Sequence, residues 1–243
     1  PADIDTKGAS VMQGRAVHIG GAHELRNRIG ALAWMGAQTR LDMAGEISFM
    51  QKSFPTPTVE VISDVNRVIN KMRKESVTLT IGGVDHKEVI FALSADSAWA
   101  NSTEMRTHAG WLVGATHKMI KDGHPAPFSP LAWKSHCLKR TTNSTLASEA
   151  MALNEGLGEL EWIEGMWAEA HVAGIRLDDF RDGHHSREGV IYQRKDGDAD
   201  FQKYLSEIME HLGGLSEGVA ITDCKSVYDV LSNNSISNDK RTA

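Results

Sequence analysis

Ser144-Thr145-Leu146-Ala147-Ser148-Glu149-Ala150-Met151-Ala152-Leu153 is a hydroxyl-rich opening that runs into a helical pattern and carries one acid, Glu149, in its second turn. The stretch decides the fold through its neighbours. Upstream, Val89-Ile90-Phe91-Ala92-Leu93 runs on to Asp96; downstream, Gly218-Val219-Ala220-Ile221-Thr222 runs into Asp223. Two strand-like segments each deliver an aspartate at or near their end, and the helix between them delivers a glutamate. Strand, helix and strand acids far apart in sequence can converge at one edge of a sheet, so the chain is expected to be α/β.

Working outward, the helix opened by Ser144 is expected to reach about Ala170. Leu146, Leu153, Leu157, Leu160, Ile163, Met166 and Trp167 recur at helical spacing, with Glu155, Glu159, Glu161 and Glu164 largely on the other faces. Ser144 or Thr145 suits the N-cap, where a hydroxyl satisfies a free backbone N–H. Between 77 and 141 the pattern is strand-like. The β-branched run 77–81 ends at Gly82-Gly83, 89–93 is a second run, Gly110-Trp111-Leu112-Val113-Gly114 a third and Leu131-Ala132-Trp133 a fourth, with Asp122-Gly123 as a hairpin signal. Residues 171–217 are polar and read as a surface insertion, with one short amphipathic helix carried by Phe201, Leu205, Ile208 and Leu212. After Asp223 a helix is expected from about Lys225 through Leu231, then a polar tail.

In the amino-terminal direction the reading changes to all-helical. Residues 1–22 form a loosely ordered lead-in, and 23–76 a small module of three helices. Leu25, Ile29, Leu32 and Gly36 share one face, then Met43, Ile47, Met50 and Phe54, then Val61, Val65, Val68 and Met72. Pro55-Thr56-Pro57 separates the second helix from the third, since proline lacks the N–H and restricts the residue before it. Arg67, Lys71, Arg73 and Lys74 give the third helix a basic outer face.

With 243 residues the chain can bury one or two cores, and 41% hydrophobic with 24% charged residues is an ordinary globular composition. No apolar run is long enough to span a bilayer, so a soluble intracellular protein without a membrane partner is expected. The start at Pro1 and the end at Arg241-Thr242-Ala243 suggest a piece of something longer. A net charge of −6 argues against a general nucleic-acid coat but not against a local basic cluster, and Lys134, Lys139 and Arg140, near Lys118 and Lys121, make one just before the Glu149 helix. Cys137 and Cys224 are far apart and outside any C-x-x-C pair, and His184-His185 lacks partners at ligand spacing, so no zinc site is supported. Carboxylates without thiols or imidazoles favour hard cations. Asp96, Glu149 and Asp223, brought together, would repel unless cations neutralised them, and two magnesium or manganese ions are expected to do so.

Several motifs in one order resemble the end of a copia-type LTR retrotransposon Pol polyprotein, covering the reverse transcriptase connection and the ribonuclease H region. Ile29-Gly30-Ala31-Leu32-Ala33-Trp34 with Thr39-Arg40-Leu41-Asp42-Met43-Ala44 is similar to "GxLxW…TRPDIA", and Asp96-Ser97-Ala98-Trp99-Ala100 with Arg106-Thr107-His108-Ala109-Gly110-Trp111 to "DSDWAG…RKSTSGY". Leu131-Ala132-Trp133 resembles "ISW", residues 144–153 resemble "SSTEAEYMAL", and Thr222-Asp223-Cys224-Lys225-Ser226 resembles "CDNQS". Leu41, Ala98 and Ala147 depart from the pattern, 171–217 is longer than the family's link, and the chain stops where the family continues into a further helix.

The resemblance implies a ribonuclease H-like domain over 77–243, with a mixed sheet and flanking helices, behind a connection module at 23–76. It implies hydrolysis of the RNA strand of RNA/DNA hybrids during reverse transcription. The catalytic and metal-binding acids would be Asp96, Glu149 and Asp223, with Asp239, in Asn238-Asp239-Lys240-Arg241, as a weak match for the fourth. Trp99, Lys139, Arg140, Thr141, Thr142 and Ser144 are the expected substrate contacts. The implied partners are the hybrid and the polymerase palm and fingers of the same polyprotein, in a cytoplasmic retroelement particle or the nucleus. No Y-x-D-D motif occurs, Leu177-Asp178-Asp179-Phe180 is no substitute for it, and polymerase activity is excluded for this stretch. The alternatives are a catalytically silent remnant that binds nucleic acid or acts as a scaffold, and another nuclease of the same acid-cluster type.

Overall fold

The computed structural model describes residues 19–52, 58–98, 107–171 and 218–232. Residues 1–18 of the proposed 1–22 lead-in, Phe54 with the Pro55-Pro57 break, Trp99, nearly all of the proposed insertion with its Phe201 helix, and Asp239 lie outside the described residues. The last four residues of that lead-in, 19–22, are not loose but form the first turn of a helix. No described helix is long and apolar enough to cross a membrane.

The chain is α/β, with a mixed four-stranded sheet and flanking helices. Strands β1 (Val89–Ala98), β2 (His108–His117) and β3 (Phe128–Cys137) form an antiparallel meander, and β4 (Val219–Ile221) pairs parallel to β1, giving the order β3-β2-β1-β4. The crossover that makes this parallel pair possible includes α4 (Thr145–His171), the helix read from the Glu149 stretch. Strand alternation sends Phe91, Leu93 and Ala95 of β1 and Ala109 and Val113 of β2 into one core with Ala152, Leu153, Leu160 and Ile163 of α4. Gly156 allows the helix to lie close to the sheet, because a Cβ there would stand 2.4 Å from Leu93 Cδ1. Helix α5 (Lys225–Ser232) closes this side through Val227. The Asp122-Gly123 signal marks a turn between β2 and β3, built from a 3₁₀ helix (Lys118–Asp122) and Gly123 at φ 77.

The amino-terminal segment folds as three helices, α1 (Ile19–Gln38), α2 (Ala44–Gln51) and α3 (Val59–Lys74), with a 3₁₀ turn (Leu41–Met43) after α1. The core is the periodic set expected: Leu25, Ile29, Leu32, Met43, Ile47, Met50, Val61, Val65 and Val68 are all buried. Arg40 staples it, forking onto both Asp42 oxygens at 2.8 Å and donating to the Met72 carbonyl at 3.2 Å. That guanidinium holds the Asp42 carboxyl below its ordinary range.

The module packs against the sheet face opposite α4. Trp133 Nε1–H donates to the Gly36 carbonyl at 2.7 Å, and buried His108 Nε2 lies 2.7 Å from Ser48 Oγ and 2.9 Å from Ser135 Oγ. Phe49 stacks on the His108 ring at 4.2 Å, with the Lys52 ammonium 4.4 Å over the Phe49 ring. Burial first, then the neighbouring Lys52 and His136, push the His108 pKa down to about 4, so the imidazole is neutral in this seam.

The run 77–81 departs from expectation. It is not a strand: Val77 and Ile81 are exposed, and the segment touches the sheet through Gly82, whose N–H donates to Ser129 Oγ at 2.8 Å. Its β-branched composition has no surface to bury against, so pairing would gain little.

Glu164 of α4 carries a pH signature. Its Oε1 is buried without a hydrogen-bond partner, and burial, with Glu161 adding to it, pushes the carboxyl up to about 7, the Gly218 N–H opposing in part. The folded state therefore holds more protons here than the unfolded chain between about pH 4.5 and 7, so this group's contribution to stability falls as pH rises through that window. Glu164→Gln is expected to match the parent in stability near pH 4 and to exceed it by about 1–2 kcal/mol at pH 8, after allowance for solvent screening. Urea unfolding of both proteins across that range measures the difference; a difference that does not grow with pH contradicts the assignment.

Candidate metal and nucleic-acid site

Helix α4 begins at a hydroxyl. Ser144 Oγ accepts the Ala147 N–H at 3.1 Å, which makes Ser144 the N-cap. One turn further in, Glu149 is buried at the sheet, and its Oε1 accepts the Ser97 backbone N–H at 3.3 Å. Ser97 lies between Asp96 and Ala98 near the end of β1, so the acid of the helix is tied directly to the strand that carries the first aspartate.

The second aspartate follows from register. Ser94 pairs with Ile221 in the parallel β1–β4 ladder, and continuing that register by two residues brings Asp223 level with Asp96. Both are exposed. Asp96 occupies the opposite strand parity to Ser97, and lines, with Ser94, Ala44, Gly45 and His108, a cavity of about 330 Å³ between the sheet and the helical module. Asp96 thus faces the helical module, while Glu149 comes from the helix on the other face of the sheet and reaches the backbone at the strand end.

Their charges nevertheless meet. Burial first, then the like charges of Asp96 and Asp223, push the Glu149 carboxyl above its ordinary value, while hydrogen bonding from Ser97 pulls the other way. Among the described residues, no three His, Cys, Asp or Glu side chains stand close enough to hold a metal ion as placed. The donor chemistry does fit a hard divalent cation: the repulsion that Glu149 feels from Asp96 and Asp223 is one a cation would relieve, and the two aspartates are exposed.

The expected substrate contacts divide. Lys139, Arg140 and Thr141 are exposed on the loop between β3 and α4, where phosphate oxygens can reach them. Thr142 is turned inward: it is buried, and its Oγ1 lies 2.9 Å from Thr107 Oγ1, so its role is to pin the loop to the start of β2. Ser144 is spent on its cap. Lys134 is drawn to Glu155 at 3.4 Å and Lys118 to Glu88 at 2.8 Å, so the basic cluster is smaller than its sequence suggests. The basic face of α3 is likewise reduced, because Lys71 and Arg67 both grip Glu46 of α2, at 2.8 and 3.1 Å.

Two residues escaped the sequence reading. Ser97 and Ser148 form a hydroxyl pair at 2.8 Å beside Glu149. The signal was adjacency: one serine directly follows Asp96 and the other directly precedes Glu149.

Neither family models, nor curated proteins, nor solved structures give a match to this chain.

Proposed function

We propose that the chain is a ribonuclease H-like nuclease of the copia-type retroelement class, hydrolysing the RNA strand of RNA/DNA hybrids with divalent metal. The observation that carries the reading is a buried glutamate held against the charge of two aspartates, one on a neighbouring strand and one just beyond the end of another. Such an arrangement is costly unless a cation is meant to enter it. Asp96, Glu149 and Asp223 would hold magnesium or manganese, which when bound supplies an activated water and stabilises the leaving oxygen. Asp239 and Trp99 belong to the proposal through the motif resemblance alone.

The chain's own residues supply positioning. Ser97 N–H orients the Glu149 carboxylate, and the Ser144 cap fixes the helix end from which that carboxylate projects. Lys139 and Arg140, exposed beside this helix end, attract backbone phosphates. Preference for RNA would come from contacts to 2′-hydroxyls across the minor groove. The remainder of the Pol polyprotein is the proposed partner, placed in the cytoplasmic particle or the nucleus.

The test is cleavage of an end-labelled RNA/DNA hybrid by the purified chain. Magnesium-dependent release of RNA fragments with 5′-phosphates is expected, absent with EDTA and absent from Asp96→Asn. Equal background from the parent and Asp96→Asn would end the enzyme reading, and activity confined to duplex DNA would point to another acid-cluster nuclease. The carboxylates' failure to gather as placed favours a second reading, a silent remnant that binds nucleic acid. Hybrid binding without cleavage supports that one.

A further inference from the structure

The hydroxyl pair beside Glu149 has a direction. Ser148 is fully buried, and its hydroxyl donates to the Thr145 carbonyl at 2.7 Å. Its one proton is therefore committed, and the proton in the 2.8 Å contact with Ser97 Oγ must come from Ser97. Ser97 thus gives its hydroxyl to Ser148 and its backbone N–H to Glu149 Oε1, two consecutive residues of the same helical turn. The 3.3 Å contact to the carboxylate is long and alone would leave the side chain loosely held. The hydroxyl bond fixes the distance between strand end and helix that the N–H contact depends on.

We propose that Ser97, acting with Ser148, is a positioning residue for Glu149, setting the carboxylate for cation capture. The inference rests on the reading of Glu149 as a metal ligand, and it adds a device that the motif resemblance does not supply. Ser97 touches neither substrate nor ion; it acts through the carboxylate.

Ser97→Ala removes the hydroxyl and keeps the N–H. Its hybrid cleavage is expected to need about five- to tenfold more magnesium for half-maximal rate, the value of one net hydrogen bond, with the KM for hybrid unchanged. Ser97→Thr retains the hydroxyl and is expected to restore the parent's magnesium midpoint. Ser148→Ala should give the same shift, and the double variant no more than either single one, because a single shared bond is lost. A general loss of stability would instead lower the rate at all magnesium concentrations. An unchanged midpoint in Ser97→Ala, or failure of Ser97→Thr to restore it, overturns the proposal while leaving the nuclease reading intact. Manganese binding, followed by water proton relaxation, separates the two claims. If the parent binds manganese but cuts nothing, the nuclease reading falls and the relative manganese affinities of parent and Ser97→Ala decide the positioning role. If the parent binds no manganese, both fall.

Discussion

Glu149→Gln is expected to lower magnesium-dependent hybrid cleavage by about a thousandfold or more, while raising the melting temperature. The amide is close to isosteric and its carbonyl can still accept the Ser97 N–H, so the local geometry survives. What disappears is charge. A metal-assisted step draws several kcal/mol from the ion, and each 1.36 kcal/mol is roughly tenfold in rate, so an ion lost or loosened accounts for about a thousandfold. The stability change has the opposite sign, because the parent keeps a buried carboxylate beside two like charges and the amide does not. Activity assays paired with thermal unfolding check both halves. A variant that is less stable and still active would remove Glu149 from the site.

The second large effect is in the core. Gly156→Val should destabilise the fold by about 3 kcal/mol, although valine has the better helix propensity by a few tenths of a kcal/mol. Any Cβ at this position meets Leu93 Cδ1 at 2.4 Å and Trp111 Cβ at 3.2 Å. Leu93 is fully buried between helix and sheet, so its methyl groups have nowhere to move. Either the helix lifts from β1 or the leucine leaves its rotamer, and both cost more than propensity returns. Lifting the helix would also stretch the Ser97–Glu149 contact, so loss of cleavage is expected to accompany loss of stability. Urea denaturation gives the first quantity and the hybrid assay the second; a variant as stable as the parent would mean that α4 is not held as closely as described.

Much of this architecture was legible before any coordinates. Periodicity gave the three amino-terminal helices and the run of α4, because burial on one face imposes a repeat that residues such as Leu25, Ile29 and Leu32 display. The cap at Ser144 was legible for a local reason: its partner Ala147 is three residues away. The run 77–81 was misread because β-branched composition signals a strand only where a neighbour offers burial, and that information lies in Ser129 and the sheet edge. Thr142, Ser97 and the Ser48–His108–Ser135 contacts were invisible for a related reason. Hydroxyls and imidazoles that find one another across 35, 51 and 60 residues leave no period. The three acids could be nominated from sequence, but not the strand parity that turns Asp96 toward the helical module, on the face away from the helix that carries Glu149.

The seam between the helices and the sheet bears on how such a chain can be divided by design or by descent. Trp133, His108 and Ser135 look outward from the strands, and it is Gly36, Ser48 and Phe49 that receive them. A cut near residue 76, where the sequence changes character, would leave an indole and an imidazole facing solvent on one fragment and an open carbonyl on the other. The compositional border is therefore a poor place for a boundary. The unit that can be transplanted, shortened or duplicated without repair begins no later than the first helix, and any partner that replaced the helices would have to reproduce a surface rather than a sequence.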